Sequence, residues 1–361
     1  MIPKPERTMA RHEIIKTSLR KRDDDLGVSE VLGVIMMLAM VLSIMGGIWI
    51  FLNPYISDFE DNTNWNNASG IADRLDDRID VVGDSPNGTG VRHKLNMQKS
   101  ILQQVSNAEI WSISADLVSY DAISIRSVSD FSVGITSMNE TASKISIETI
   151  SQYWEFSFAP TDSEVIAQHG LALNSWYVMT IYDAEDIPIH RSVTYPISGL
   201  KILTTLASGE HEINLVNNAR IEHFYDSTWE ISDYPSVIFE KLATNGYRCS
   251  ILLTNIDVNG SLGSSNSYGL DILSIGTLTP FSGESYNLRF SMENTVAAVI
   301  TPQYNELWLS EYYLNRASGT LDSFTGLAPY ERLSGSDGIT VQTNGEPLFL
   351  DVSIQQVVLE R

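Results

Sequence analysis

The chain has 361 residues, with 23 basic and 45 acidic side chains and a formal net charge of −22. Such acidity argues against nucleic acid as a partner, because that binding needs a basic surface to displace counterions; it suits a solvated exterior in salty water, where screening weakens self-repulsion. A single cysteine, Cys249, excludes an intramolecular disulfide and cysteine-rich metal sites, so stability must come from packing.

Residues 1–26 carry seven basic side chains (Lys4, Arg7, Arg11, Lys16, Arg20, Lys21, Arg22) against five acidic ones, a net of +2, which leaves −24 for the rest. Val31 to Leu52 then runs 22 residues without a charge, with Glu30 at its start. About 20 apolar residues cross the roughly 30 Å of bilayer hydrocarbon, whereas signal-peptide cores are shorter. No small-residue cleavage pattern follows, and Asn53 and Pro54 are expected to end the helix. Basic residues beside a span stay on the cytoplasmic side, so the expected topology is a single pass, amino terminus in and carboxyl terminus out. Within the span, Ala39, Ser43 and Gly47 recur every four residues, with Gly46 beside the last. Small residues at this spacing let helices approach closely in apolar surroundings, and the chain has no second apolar span to fill that face.

ISDFEDNTNWNNASG reads as a solvated, acidic exit segment. ASGIADRLDDRIDVVG places Ile71, Leu75, Ile79 and Val82 on one stripe, a short amphipathic helix, and GDSPNGTG ends it. Asp73, Asp76, Asp77 and Asp80 on its other face form either a wetted surface or a cation site; carboxylates on a helix without a loop rarely cage calcium, which favours the first.

From about Lys94, short runs rich in β-branched and aromatic residues recur between turn signals, several alternating apolar with polar: Ile123 and Ile125, Ile145 and Ile147, Trp154, Phe156 and Phe158. The fold class expected is α+β: an amino-terminal transmembrane or assembly helix, then a mostly antiparallel β domain of sandwich or meander type. Asn305 to about Arg316 reads as a helix inside it, and Tyr195–Gly199 is a candidate boundary. The organisation expected is a cytoplasmic leader over 1–27, the apolar helix over 28–53, the exit segment and amphipathic helix over 54–93, and a β-rich extracellular domain over 94–361.

Catalytic and metal motifs are scarce. HEINL at His211 lacks the second histidine that a zinc helix needs, since Leu215 stands there. His223 has no carboxylate at a recognisable spacing, and both histidines read as surface residues between strands. There is no nucleophile elbow, P-loop or dinucleotide fingerprint, and IDVNGS at Asp257 and Asn259 lacks the later glutamate of a calcium loop. No enzyme activity, cofactor or metal is expected. Asn67, Asn87, Asn139 and Asn259 begin Asn-x-Ser/Thr triplets, candidate glycosylation acceptors if they face outward.

The stretch Leu26-Gly27-Val28-Ser29-Glu30-Val31-Leu32-Gly33-Val34-Ile35 resembles the amino-terminal signature of archaeal type IV pilins and archaellins. The resemblance covers about 30 residues. It implies a class III signal peptide cut by a membrane-embedded prepilin peptidase between Gly27 and Val28, with Val31–Leu52 as the assembly helix. Glu30 would then lie near the new α-amine of Val28, a partner that lets a carboxylate enter an apolar bundle and fixes axial register. Leu26 stands where family members carry Lys or Arg, and many archaeal pilins have proline at the position of Glu30. The size of the exterior fits a minor, tip or accessory subunit. The resemblance implies as partners the membrane, other pilin-like subunits and the peptidase, and a surface role in adhesion. The alternative is an uncleaved single-pass envelope protein with a ligand-binding exterior domain.

Overall fold

The computed structural model describes residues 10–361 apart from 120–122, 130–131, 138–141, 150–151, 158–164, 169–175, 228–229, 234–235, 243–245, 263–266, 295–330 and 336–337. The expected helix at Asn305–Arg316 and the acceptor Asn139 lie outside the described residues. One helix, α1 (Ala10–Gly83), precedes eighteen described strands. These are β1 (Gly90–Asn96), β2 (Ser100–Asp116), β3 (Ile123–Ser129), β4 (Ser132–Ser137), β5 (Ala142–Glu148), β6 (Tyr153–Ser157), β7 (Val165–Gln168), β8 (Tyr177–Asp183) and β9 (Pro188–Thr205). There follow β10 (Glu210–Val216), β11 (Ala219–His223), β12 (Glu230–Asp233), β13 (Ser236–Lys241), β14 (Tyr247–Asn259), β15 (Ser267–Asn294), β16 (Glu331–Gly335), β17 (Gly338–Gln342) and β18 (Leu348–Glu360).

The chain divides into two compact units, one up to Asn62 and one from Thr63 onward. Three sequence expectations need correction. The helix does not end at Asn53–Pro54: Pro54 lies inside α1, because a lone proline removes one backbone donor and disfavours one residue's helical geometry without forbidding the turns beyond it. The exit segment after it is helical, and the first strand opens at Gly90, a few residues before Lys94. Tyr195–Gly199 is no boundary: it lies within β9, whose Tyr195 and Ile197 are buried and which pairs with β2, β8 and β10.

The second unit is built on one large mixed sheet with the order β12-β11-β10-β9-β2-β15-β18-β14-β13, to which β1, β5, β6, β8, β16 and β17 add; β3, β4 and β7 form a separate three-stranded sheet. The described pairs are antiparallel except β14 beside β18. The 28-residue β15 joins the two arms of the large sheet, pairing with β18 over Asp271–Ser285 and with β2 from Tyr286 to Asn294. The β10–β11 hairpin turns on Asn217 and Asn218, both at positive φ near 55°, the geometry that a two-residue turn between right-twisted strands demands and that asparagine tolerates. Asn217 also braces the interior: its amide nitrogen donates to Glu109 Oε2 at 3.2 Å and its oxygen accepts from Thr254 N at 3.0 Å. Trp111 Nε1 donates to the same Glu109 oxygen at 2.7 Å, so the fully buried carboxylate is held by donors.

The carboxyl-terminal part of α1 is part of this unit's core. Ile71, Leu75, Ile79 and Val82 are at most 2 % exposed and pack with Leu95, Leu102, Leu200, Ile213, Ile272 and Leu359, residues of both arms. The helix ends tightly: a Cβ at Gly83 would stand 2.7 Å from Gln355 Oε1, and Gln355 Nε2 donates to Asp84 Oδ1 at 2.6 Å. Arg220 of β11, nearly buried, ties the helix sideways. Its guanidinium pairs with Asp73, donates to Ser69 Oγ at 2.8 Å, and sets Nε 2.7 Å from Glu222 Oε1, a charge contact rather than an aligned hydrogen bond.

Asp76 sits beside that pair. Burial first, then the neighbouring Asp80 and Asp233, raise its carboxyl to about 6 against the lowering pull of Arg220. Asp80 is shifted upward too, again mainly by burial. A raised carboxyl binds its proton more tightly folded than unfolded, so its contribution falls as pH rises from about 4 to about 6 and stays unfavourable above that. Replacing Asp76 with Asn is therefore expected to stabilise the fold at pH 7.5 by on the order of 1–2 kcal/mol, allowing for solvent screening. The gain should shrink towards pH 4, as read by denaturant titration at the two pH values.

Candidate functional site

In the first unit, α1 carries the longest apolar surface of the described residues. From Val31 to Leu52 its large apolar side chains are 46–76 % exposed, around the whole circumference. This is the one helix among the described residues long and apolar enough to cross a membrane. A helix bonds its own backbone, so it can exchange water for lipid or for other helices without orphaning peptide groups. The only hydroxyl between Val31 and Leu52 is handled in the same way, since Ser43 Oγ donates to Ala39 O at 2.7 Å. At the end of the apolar run Trp49, Phe51, Tyr55 and Phe59 are all exposed, and the Phe51 and Tyr55 rings lie 5.7 Å apart; tryptophan and tyrosine are the types that favour a membrane–water interface.

Gly27 and Val28 lie within α1, and Glu30 is exposed on it. Ala39, Ser43 and Gly47 follow one another along the helix, all exposed. A Cβ added at Gly33, Gly46 or Gly47 would meet nothing within 4 Å. No contact among the described residues therefore requires these three glycines to be small.

The other candidates are scattered. Asp73 is spent on Arg220, and no group of three or more His, Cys, Asp or Glu suited to a metal occurs among the described residues. His211 is not a surface residue between strands: HEINL is strand β10, and His211 is buried among Trp65 at 5.3 Å, Phe224 at 4.7 Å and a stacked Tyr225 at 6.2 Å. His223 ends strand β11 opposite Glu212. Strand alternation therefore points the two histidines to opposite faces, and they do not form a ligand pair. Asp257 accepts from Asn255 Nδ2 at 2.9 Å. Among the acceptor asparagines, Asn67 is half-buried with its Nδ2 donating to Asn96 O at 3.1 Å, Asn259 is exposed and donates to Glu360 Oε1 at 2.7 Å, and Asn87 is exposed in the turn after α1.

A buried His–Asp pair appears that local patterns do not announce: His190 Nδ1 lies 2.7 Å from Asp116 Oδ1, and Asn287 Nδ2 donates to Asp116 Oδ2 at 3.0 Å. No hydroxyl or thiol of the described residues bonds the buried Nε2 of His190, so among those residues the pair is not joined to the nucleophile that triad chemistry requires. Burial pushes the thiol of Cys249 upward and so disfavours the reactive thiolate. Local patterns do not announce Arg220 and Arg191 either: each has a partner far away in the chain, Asp73 of α1 for the first and Pro280 of β15 for the second, and only the rarity of arginine among apolar strand residues singles them out. No protein-family model, curated protein or solved structure matches the chain.

Proposed function

We propose that the chain is a pilin-like structural subunit of an archaeal type IV pilus-like surface filament, non-enzymatic, processed between Gly27 and Val28 by a prepilin peptidase. The observation that carries this is the pairing of an amino-terminal signature with a helix that buries residues 71, 75, 79 and 82 in its own domain yet exposes every large apolar side chain from Val31 to Leu52. Before assembly the exposed run spans the membrane, amino terminus in the cytoplasm. The acidic β domain lies outside and meets surfaces or partners, with its two sheet arms as the leaves of a sandwich. After cleavage the helix leaves lipid for a bundle of copies, an exchange between two apolar surroundings. The small stripe at Ala39, Ser43 and Gly47 admits a neighbouring helix, and Glu30 pairs with the Val28 α-amine, which offsets the cost of burying the carboxylate.

Amino-terminal sequencing and intact mass of the native protein test this reading. The expected chain begins at Val28, and Gly27→Ile retains the leader, because a branched side chain replaces hydrogen at the scissile position. A native chain that begins at Met1, unchanged by Gly27→Ile, would leave the uncleaved envelope protein instead.

A further inference from the structure

The face built by β5, β6, β8 and β9 carries an open cleft of about 350 Å³, closed on one side by the Leu278–Pro280 corner of β15. That volume is at the small end of the range for small-ligand sites, about 300–1,000 Å³. Strand register accounts for the residues that meet there. Ser146, Thr180 and Arg191 form one rung across three strands, and Tyr153, Glu148 and Val178 form the next rung, so their side chains share one face.

Two kinds of surface converge in the cleft. Tyr153, Trp176 and Tyr182 line it with rings; Tyr153 is 58 % exposed, and Trp176 is braced edge-on by Tyr195 at 6.4 Å. Arg191 supplies a fixed donor: Nε donates to Thr180 Oγ1 at 3.3 Å, Nη1 to Pro280 O at 3.0 Å, and the guanidinium sits 6.0 Å from the Phe281 ring centroid. Its Nη2 has no bonded partner among the described residues. Glu148, exposed at the rim, offers acceptors.

The geometry points to a saccharide-binding site. A sugar ring presents flat C–H faces, which aromatic rings cover, and a fringe of hydroxyls that act as donors and acceptors towards a held arginine and a carboxylate. An acyl chain would leave Arg191 and Glu148 desolvated and unmatched. A phosphate group would meet Arg191 as the one cation among the lining residues, beside the carboxylate of Glu148, on a chain of charge −22; the nearby Lys144 is already paired with Asp186 and Glu155. The inference rests on the outward placement of the β domain only for the origin of the sugar, a cell-surface glycan; binding itself needs neither cleavage nor assembly.

The test uses the full chain in a detergent without a sugar headgroup, titrated with lactose, mannobiose, chitobiose and a glucuronate-containing disaccharide, with tryptophan fluorescence as the readout. Saturable binding to at least one of these is expected. Tyr153→Ala, which removes an exposed ring and leaves the melting temperature unchanged, and Arg191→Gln should each weaken it tenfold or more; Tyr225→Ala, an exposed ring elsewhere, should not. No saturable binding to any of the four at millimolar concentration, or affinity unchanged in both cleft variants, would overturn the inference. Either result leaves the amino terminus at Val28 as a separate question, and a retained leader likewise leaves binding untouched.

Discussion

Leu75→Ala is expected to lower the unfolding free energy of the β-rich unit by about 2–5 kcal/mol, the cost of lost transfer energy plus the cavity left behind. Leu75 is fully buried, between Ile71 and Ile79 on the helix and among Leu200, Ile272 and Leu359 of the sheet. Domains are stable by only about 5–15 kcal/mol, so this one truncation removes a large share. Val81→Ala, six residues further along and 62 % exposed, should change stability by less than about 0.5 kcal/mol. Denaturant titration of the two variants separates a helix that is core from one that merely leans on the domain: equal, small effects would mean that the sheet folds without α1.

The buried stripe was legible because it is local. Ile71, Leu75, Ile79 and Val82 repeat at helical spacing, and helix geometry alone puts them on one face. Strand-forming runs were legible for the same reason. Ile145 and Ile147 fall on β5 and are fully buried, and Trp154 and Phe156 share a half-buried face of β6. Long-range pairing was not legible. The parallel match of Tyr247–Asn259 with Leu348–Glu360 joins segments about a hundred residues apart, and nothing in either run specifies the other. The same holds for the cleft, where Tyr153, Trp176 and Arg191 meet only because β5, β6, β8 and β9 lie in register, and for Arg220, whose partner Asp73 is 147 positions away. His211 was misplaced because a polar side chain in a short run gives no sign that aromatic rings will close over it. Continuity through Pro54 depends on the long helical stretches on either side, which a rule about a single proline does not contain.

A second large effect concerns the exposed half of α1. Ser43 lies on the small-residue stripe, and its hydroxyl serves only Ala39 O within its own helix, so Ser43→Cys should cost little. Cys249 is buried and burial disfavours its thiolate, which makes the new thiol the single reactive one. If copies share this helix, neighbouring axes lie about 8–10 Å apart, within reach of a short bifunctional maleimide. The decisive measurement is cross-linking of Ser43→Cys in native envelopes, beside the parent chain and a monofunctional maleimide that verifies labelling. A cross-linked dimer in the variant, absent from the parent, is the result expected of a helix held in common by many subunits. Full monofunctional labelling with monomers alone after cross-linking would contradict it.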